Sequence, residues 1–206
     1  MGGAQNGEGQ SGMKMAIERL ARGMAVLGGV VMVALVLLTC VSVLGRGLNS
    51  MGHSGWLIAL AQGFADWLIA SGVGPVTGDF ELVEAGIAFS IFAFLPICQL
   101  YAGHATVDVF TSRMSDKVNA WLIAFWDMIL TLVIWLITWR LFAGLLDKLG
   151  NGETSFLLQF PIWWAYAASF LAALVASVTA LYCVIGRVTY AATGRTILPA
   201  SGADAA

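Results

Sequence analysis

The chain has 206 residues, of which 59% are hydrophobic and 11% charged, with a mean hydropathy of +0.85. Water-soluble domains carry about 25% charged residues, so this composition excludes an ordinary soluble globular protein and points to an integral membrane protein. The formal net charge of −2 leaves no basic excess to neutralise phosphates, which excludes nucleic acid as a partner.

Residues 1–12 are rich in Gly, Gln and Ser and read as a disordered tail. A basic amphipathic segment, Met13 to Arg22, precedes a long uncharged run. That run, about 23–45, is longer than a signal-peptide core and ends at Gly45-Arg46 without a small-residue cleavage site, so it reads as a retained first transmembrane helix. Further spans are predicted at about 82–101, 118–146 and 161–185. Pro96 is expected to kink the second. Pro161 suits the first turn of the fourth, where its missing N–H costs nothing. A four-helix membrane domain over 13–187 and a C-terminal tail over 188–206 follow.

Between the first two spans, Trp56 to Ala70 is apolar but reaches only about 22 Å as a helix, short of a hydrocarbon core of about 30 Å. Leu57, Leu60, Phe64, Trp67 and Leu68 fall on one stripe, and Gly72, Gly74, Pro75 and Gly78 end it. The segment reads as an interfacial helix in the first outer loop, in contact with membrane lipid. A fifth span there would put the termini on opposite sides. With the N-terminus inside, Lys14, Arg19, Arg22, Arg113, Lys117, Arg187 and Arg195 are cytoplasmic, whereas Arg46 and Lys148 are outside. This excess places both termini in the cytoplasm. The expected fold class is therefore all-α integral membrane, with four transmembrane helices plus a short interfacial helix.

Span four carries two ladders of small residues, Ala165-Ser169-Ala173-Ser177 and Ala168-Ala172-Ala176-Ala180. Close approach of helices in lipid needs such faces, so this span reads as a central packing helix or a contact with another subunit.

Catalytic signatures are missing. The two histidines, His53 and His104, are expected on opposite membrane sides and cannot share a metal. Cys40, Cys98 and Cys183 lie in apolar runs without CxxC spacing. No GxSxG, HExxH or phosphate-cradling motif occurs. The reading is not an enzyme, with no catalytic, cofactor-binding or metal residues and no cofactor. A stand-alone four-helix membrane enzyme or redox protein is the alternative.

Charges within spans are costly and mark partners or function. Arg46, Glu81, Glu84 and Arg140 share an outer depth and read as a structural ion-pair cluster, with Glu84 pairing either Arg46 or Arg140. The alternative is that all four reach independently to the headgroups. Asp127 lies thirteen residues before Arg140, about 20 Å along a helix, so these two cannot pair. Its role stays open. A proton relay would need ionisable groups across the bilayer, and spans one and four offer none at mid-depth.

Gly45-Arg46 closing span one, Glu81-Leu82-Val83-Glu84 opening span two, Gly103-His104-Ala105-Thr106-Val107-Asp108-Val109-Phe110 after it, and Glu153-Thr154-Ser155 with Phe160-Pro161-Ile162-Trp163-Trp164 before span four occur in order. This set resembles the small membrane subunit of tripartite ATP-independent periplasmic (TRAP) transporters, over about 14–187. The long first outer loop, Leu48 to Gly78, departs from the usual pattern. The resemblance implies a scaffold for a large membrane permease subunit in the bacterial inner membrane. The same resemblance implies that the large subunit takes up an organic acid by ion-gradient-driven symport, after a periplasmic substrate-binding protein has delivered it transiently. His104 and Asp108 would then organise a cytoplasmic turn motif against the large subunit.

Overall fold

A computed structural model describes residues 4–101, 116–194 and 198. It contains five helices among those residues: α1 (Ala4–Gly52), α2 (Gly55–Ala70), α3 (Asp79–Leu100), α4 (Asp116–Asn151) and α5 (Trp163–Thr193). Four of them, all but α2, are long and apolar enough to cross a membrane. The all-α class with four spanning helices and one shorter apolar helix stands as expected.

The helices overrun the expected span limits. α1 begins at Ala4, inside the stretch that composition reads as disordered, and ends at Gly52, beyond Gly45. Once an apolar span has nucleated a helix, each added turn fixes few further dihedrals per hydrogen bond, so propagation into polar flanks is cheap. α3 runs on through the fully buried Pro96 to Leu100. Pro161 stands before α5 rather than within its first turn. It pairs in a β-bridge with Thr154, and its carbonyl accepts from Trp164 N–H at 3.1 Å.

α1 packs on α3, α3 on α5, and α5 on α4, while α2 lies against α1. Consecutive spans alternate in direction, so the chain has a terminal end and a hairpin end. Small residues set the contacts. A Cβ on Gly28 would stand 2.9 Å from the Ala93 side chain, and one on Gly86 would stand 2.7 Å from Leu35. These two glycines let α1 and α3 approach closely. α5 buries Ser169, Ala172, Ala173, Ala176, Ser177 and Ala180, so both small-residue ladders are packing faces. Of its most apolar stretch 50% is buried, against 6% for α1, which makes α5 the central helix. At mid-depth, Ile134 of α4 packs with Ala176 and Ala180. Nearby, Thr138 and Ser177 share a hydrogen bond of 2.8 Å. At the terminal end, Ala21, Leu100, Tyr182 and Cys183 join α1, α3 and α5.

α2 is bent rather than straight, with Ala61 at φ −151°, ψ 69°. The bend divides the expected stripe. Leu57 and Leu68 are buried, while Leu60, Phe64 and Trp67 are exposed. Phe64 and Trp67 stack with ring centroids 5.8 Å apart.

Candidate functional site

At the hairpin end, Gly45 lets the chain cross α1. A Cβ there would fall 2.1 Å from the Gly74 carbonyl oxygen. The segment that crosses is fastened by Ser42, whose hydroxyl accepts from Val76 N–H at 3.2 Å and donates to the Asp79 carboxylate. Arg46 stands 3.8 Å from the same carboxylate and lies over the Phe80 ring, 5.8 Å from its centroid. Asp79 also accepts from Phe80 N–H at 2.9 Å, at the start of α3 where a negative charge is favoured.

Glu81 does different work. Its two oxygens accept the backbone N–H groups of Leu157 and Leu158, at 2.6 and 2.9 Å. This fixes the turn between α4 and α5, which is closed by Ser155 N–H to Phe160 C=O at 2.9 Å and by the Lys148–Glu153 ion pair. Gly78 at φ 78° leaves room for Leu158, into which a Cβ would run at 2.3 Å.

The four residues expected to form one outer cluster therefore divide. Arg46 meets Asp79, Glu81 holds the α4–α5 turn, and Glu84 and Arg140 make no ion pair among the described residues. Glu84 lines a cavity of about 600 Å³ between α3, α4, α5 and the turn. Arg140 is exposed on α4.

Asp127 acquires a partner. Arg187 Nη1 lies 2.9 Å from Asp127 Oδ1, with side-chain exposures of 15% and 1%. Gln99 Nε2 donates to the same oxygen, and the Gln99 carbonyl accepts from Arg187 at 3.1 Å and from the Cys183 thiol at 3.6 Å. Three helices thus converge on one buried charge pair. Close by, Arg22, Glu18 and Tyr101 tie α1 to the end of α3, with Tyr101 donating to Glu18 at 2.8 Å. His104 and Asp108 lie outside the described residues. No group of three or more His, Cys, Asp or Glu side chains able to hold a metal occurs among the described residues.

Sequence reasoning missed Asp79, Ser42, Gln99 and Arg187. Arg187 left a signal. It and Asp127 lie thirty residues on either side of Leu157, at the tip of the turn joining two antiparallel helices, which places them at one depth.

Residues 57–189 match the model of the family described as tripartite ATP-independent periplasmic transporters, DctQ component. The chain belongs to this family. It is a small membrane subunit of a TRAP transporter, as the ordered motifs imply. No curated protein and no solved structure matches it. The DctQ match begins within α2 and ends within α5, so it takes in Asp79, the Glu81-held turn and the Asp127–Arg187 pair, while Ser42, Gly45 and Arg46 on α1 lie before it.

Proposed function

We infer that this small subunit scaffolds the large permease subunit of its transporter in the bacterial inner membrane, both termini cytoplasmic. The DctQ family match carries the reading. Supporting it, α1 presents Val26, Val30, Val33, Leu37, Val41 and Leu44 outward, while α4 presents Leu132, Leu136 and Trp139. Two long apolar faces on opposite sides of the α3–α5 core offer surface for a second membrane chain as well as lipid. The large subunit carries the organic acid and the coupling ions, and a periplasmic binding protein delivers the substrate transiently. In this arrangement the small subunit is not an enzyme. α2 lies on the outer leaflet with Leu60, Phe64 and Trp67 toward lipid.

The test is co-expression with the large permease gene from the same operon, with an affinity tag on this chain. Purification in mild detergent should return both chains in fixed stoichiometry, and proteoliposomes of the pair plus binding protein should take up substrate only with an ion gradient. Recovery of this chain alone, with full uptake by the large subunit without it, would overturn the scaffold role.

A further inference from the structure

The four spans pack as a row, α1–α3–α5–α4, so α1 and α4 stand at its two ends. Their outward faces differ in chemistry. From Gly23 to Gly45, α1 has no charged and no aromatic residue. Its exposed Val30, Val33, Leu37 and Val41 form an aliphatic surface suited to acyl chains. The outward side of α4 carries Leu132 and Leu136, then Trp139 at 68% exposure beside the exposed Arg140.

Two observations on α4 point to a polar partner within the membrane. Arg140 makes no hydrogen bond or ion pair among the described residues. It lies seven residues before Asp147 and eight before Lys148, the first charges past the apolar stretch, or about 10 Å deeper along the helix. That is farther than a guanidinium extends on its own stem, and a charge at such depth ordinarily faces protein and a counter-charge rather than lipid. Independently, the Trp139 indole N–H has no acceptor among the described residues. Trp135, one turn before it, gives its N–H to the Ser177 carbonyl of α5 at 3.4 Å. Lipid-facing tryptophans belong at the headgroup level, where water or phosphate meets the N–H, and Trp139 lies a turn deeper than Arg140 does from α4's outer end by one residue only. Two neighbouring donors on one exposed face thus lack an acceptor at a depth where hydrocarbon offers none.

We propose that this face of α4, rather than that of α1, seats the large permease subunit, and that a carboxylate of that subunit meets Arg140 with an acceptor beside it for Trp139. Leu132 and Leu136 supply the apolar contact below the pair, and α1 faces lipid. The proposal rests on the scaffold reading and names the surface through which it works.

The experiment co-expresses the full tagged chain with the large permease subunit. A photoreactive benzophenone residue replaces Leu136 on α4 or Leu37 on α1, and cross-links are read by mass spectrometry. Position 136 should cross-link to the large subunit and position 37 should not. Arg140→Leu should lower the amount of large subunit retained per tagged chain about tenfold or more. The same variant, purified alone, should unfold at a temperature no lower than the native chain, because the charge removed has no partner within it. No cross-link from position 136, or one equally strong from position 37, would overturn the proposal. So would full retention by Arg140→Leu, including the case in which that variant instead loses an anionic lipid counted by native mass spectrometry. A lowered unfolding temperature of the variant alone would make Arg140 an internal strut and overturn it too. These results leave the scaffold reading standing as long as the native chain retains the large subunit. Failure of the native chain to retain it would overturn the scaffold reading and this surface together.

Discussion

Asp127 shows how a single charge in a span declares its importance without declaring its partner. Cost alone marks it: an unpaired acid at this depth is worth a few kcal/mol on insertion scales. The partner, Arg187, looks from sequence like one more cytoplasmic arginine past the end of span four. It becomes a buried ligand of Asp127 because α5 continues to Thr193 rather than stopping at Ile185. Breaking a buried pair leaves an uncompensated charge and costs about 3–5 kcal/mol, whereas removing both partners costs much less. Arg187→Leu and Asp127→Leu should each lower the thermal unfolding temperature in detergent sharply, and the double variant should recover a good part of the loss. Additive losses would mean that the two groups are not energetically coupled. Glu84 illustrates the converse. Depth placed Arg46, Glu81, Glu84 and Arg140 together, but depth does not fix azimuth, and Asp79 reaches Arg46 in place of Glu84.

The spanning elements were legible because twenty or more apolar residues in succession have few alternatives in a membrane. Their packing was legible in part. The ladders of α5 announced a central helix, since alanine and serine at four-residue spacing leave a smooth face. What no periodicity could show is the path of 71–78 between α2 and α3. That path depends on one backbone contact, Gly45 against Gly74, and it decides which acid meets α1. Gly45 therefore matters through space rather than helix propensity. Gly45→Ala should displace the crossing segment and separate Ser42 and Arg46 from Asp79. Gly29→Ala, on the same helix with nothing within 4 Å of its Cβ, should be neutral or slightly stabilising. Thermal stability of the two variants compares them directly. Equal behaviour would show that the crossing adapts without loss.

At the scale of the whole molecule, four alternating spans put the α2 segment and the α4–α5 turn at one end, with the start of α1 and the end of α5 at the other. Which end faces the cytoplasm follows from charge. The terminal end carries Lys14, Arg19, Arg22, Lys117 and Arg187, while Arg46 and Lys148 stand at the hairpin end. Basic residues near span ends are retained on the cytoplasmic side, so the hairpin end is expected outside. Single cysteines at Ser54 and Ser112, in a background with Cys40, Cys98 and Cys183 replaced, should then react with a membrane-impermeant maleimide from opposite sides. Ser54 lies between α1 and α2 and should label in intact spheroplasts, whereas Ser112 should label only after the membrane is opened. The short α2 gives this test its force. If α2 crossed the bilayer, Ser54 would stay where it is and every later span would invert, carrying Ser112 to the same side as Ser54. Labelling of both positions in intact spheroplasts would therefore reject the four-span arrangement, and with it the outward placement of the Glu84 cavity.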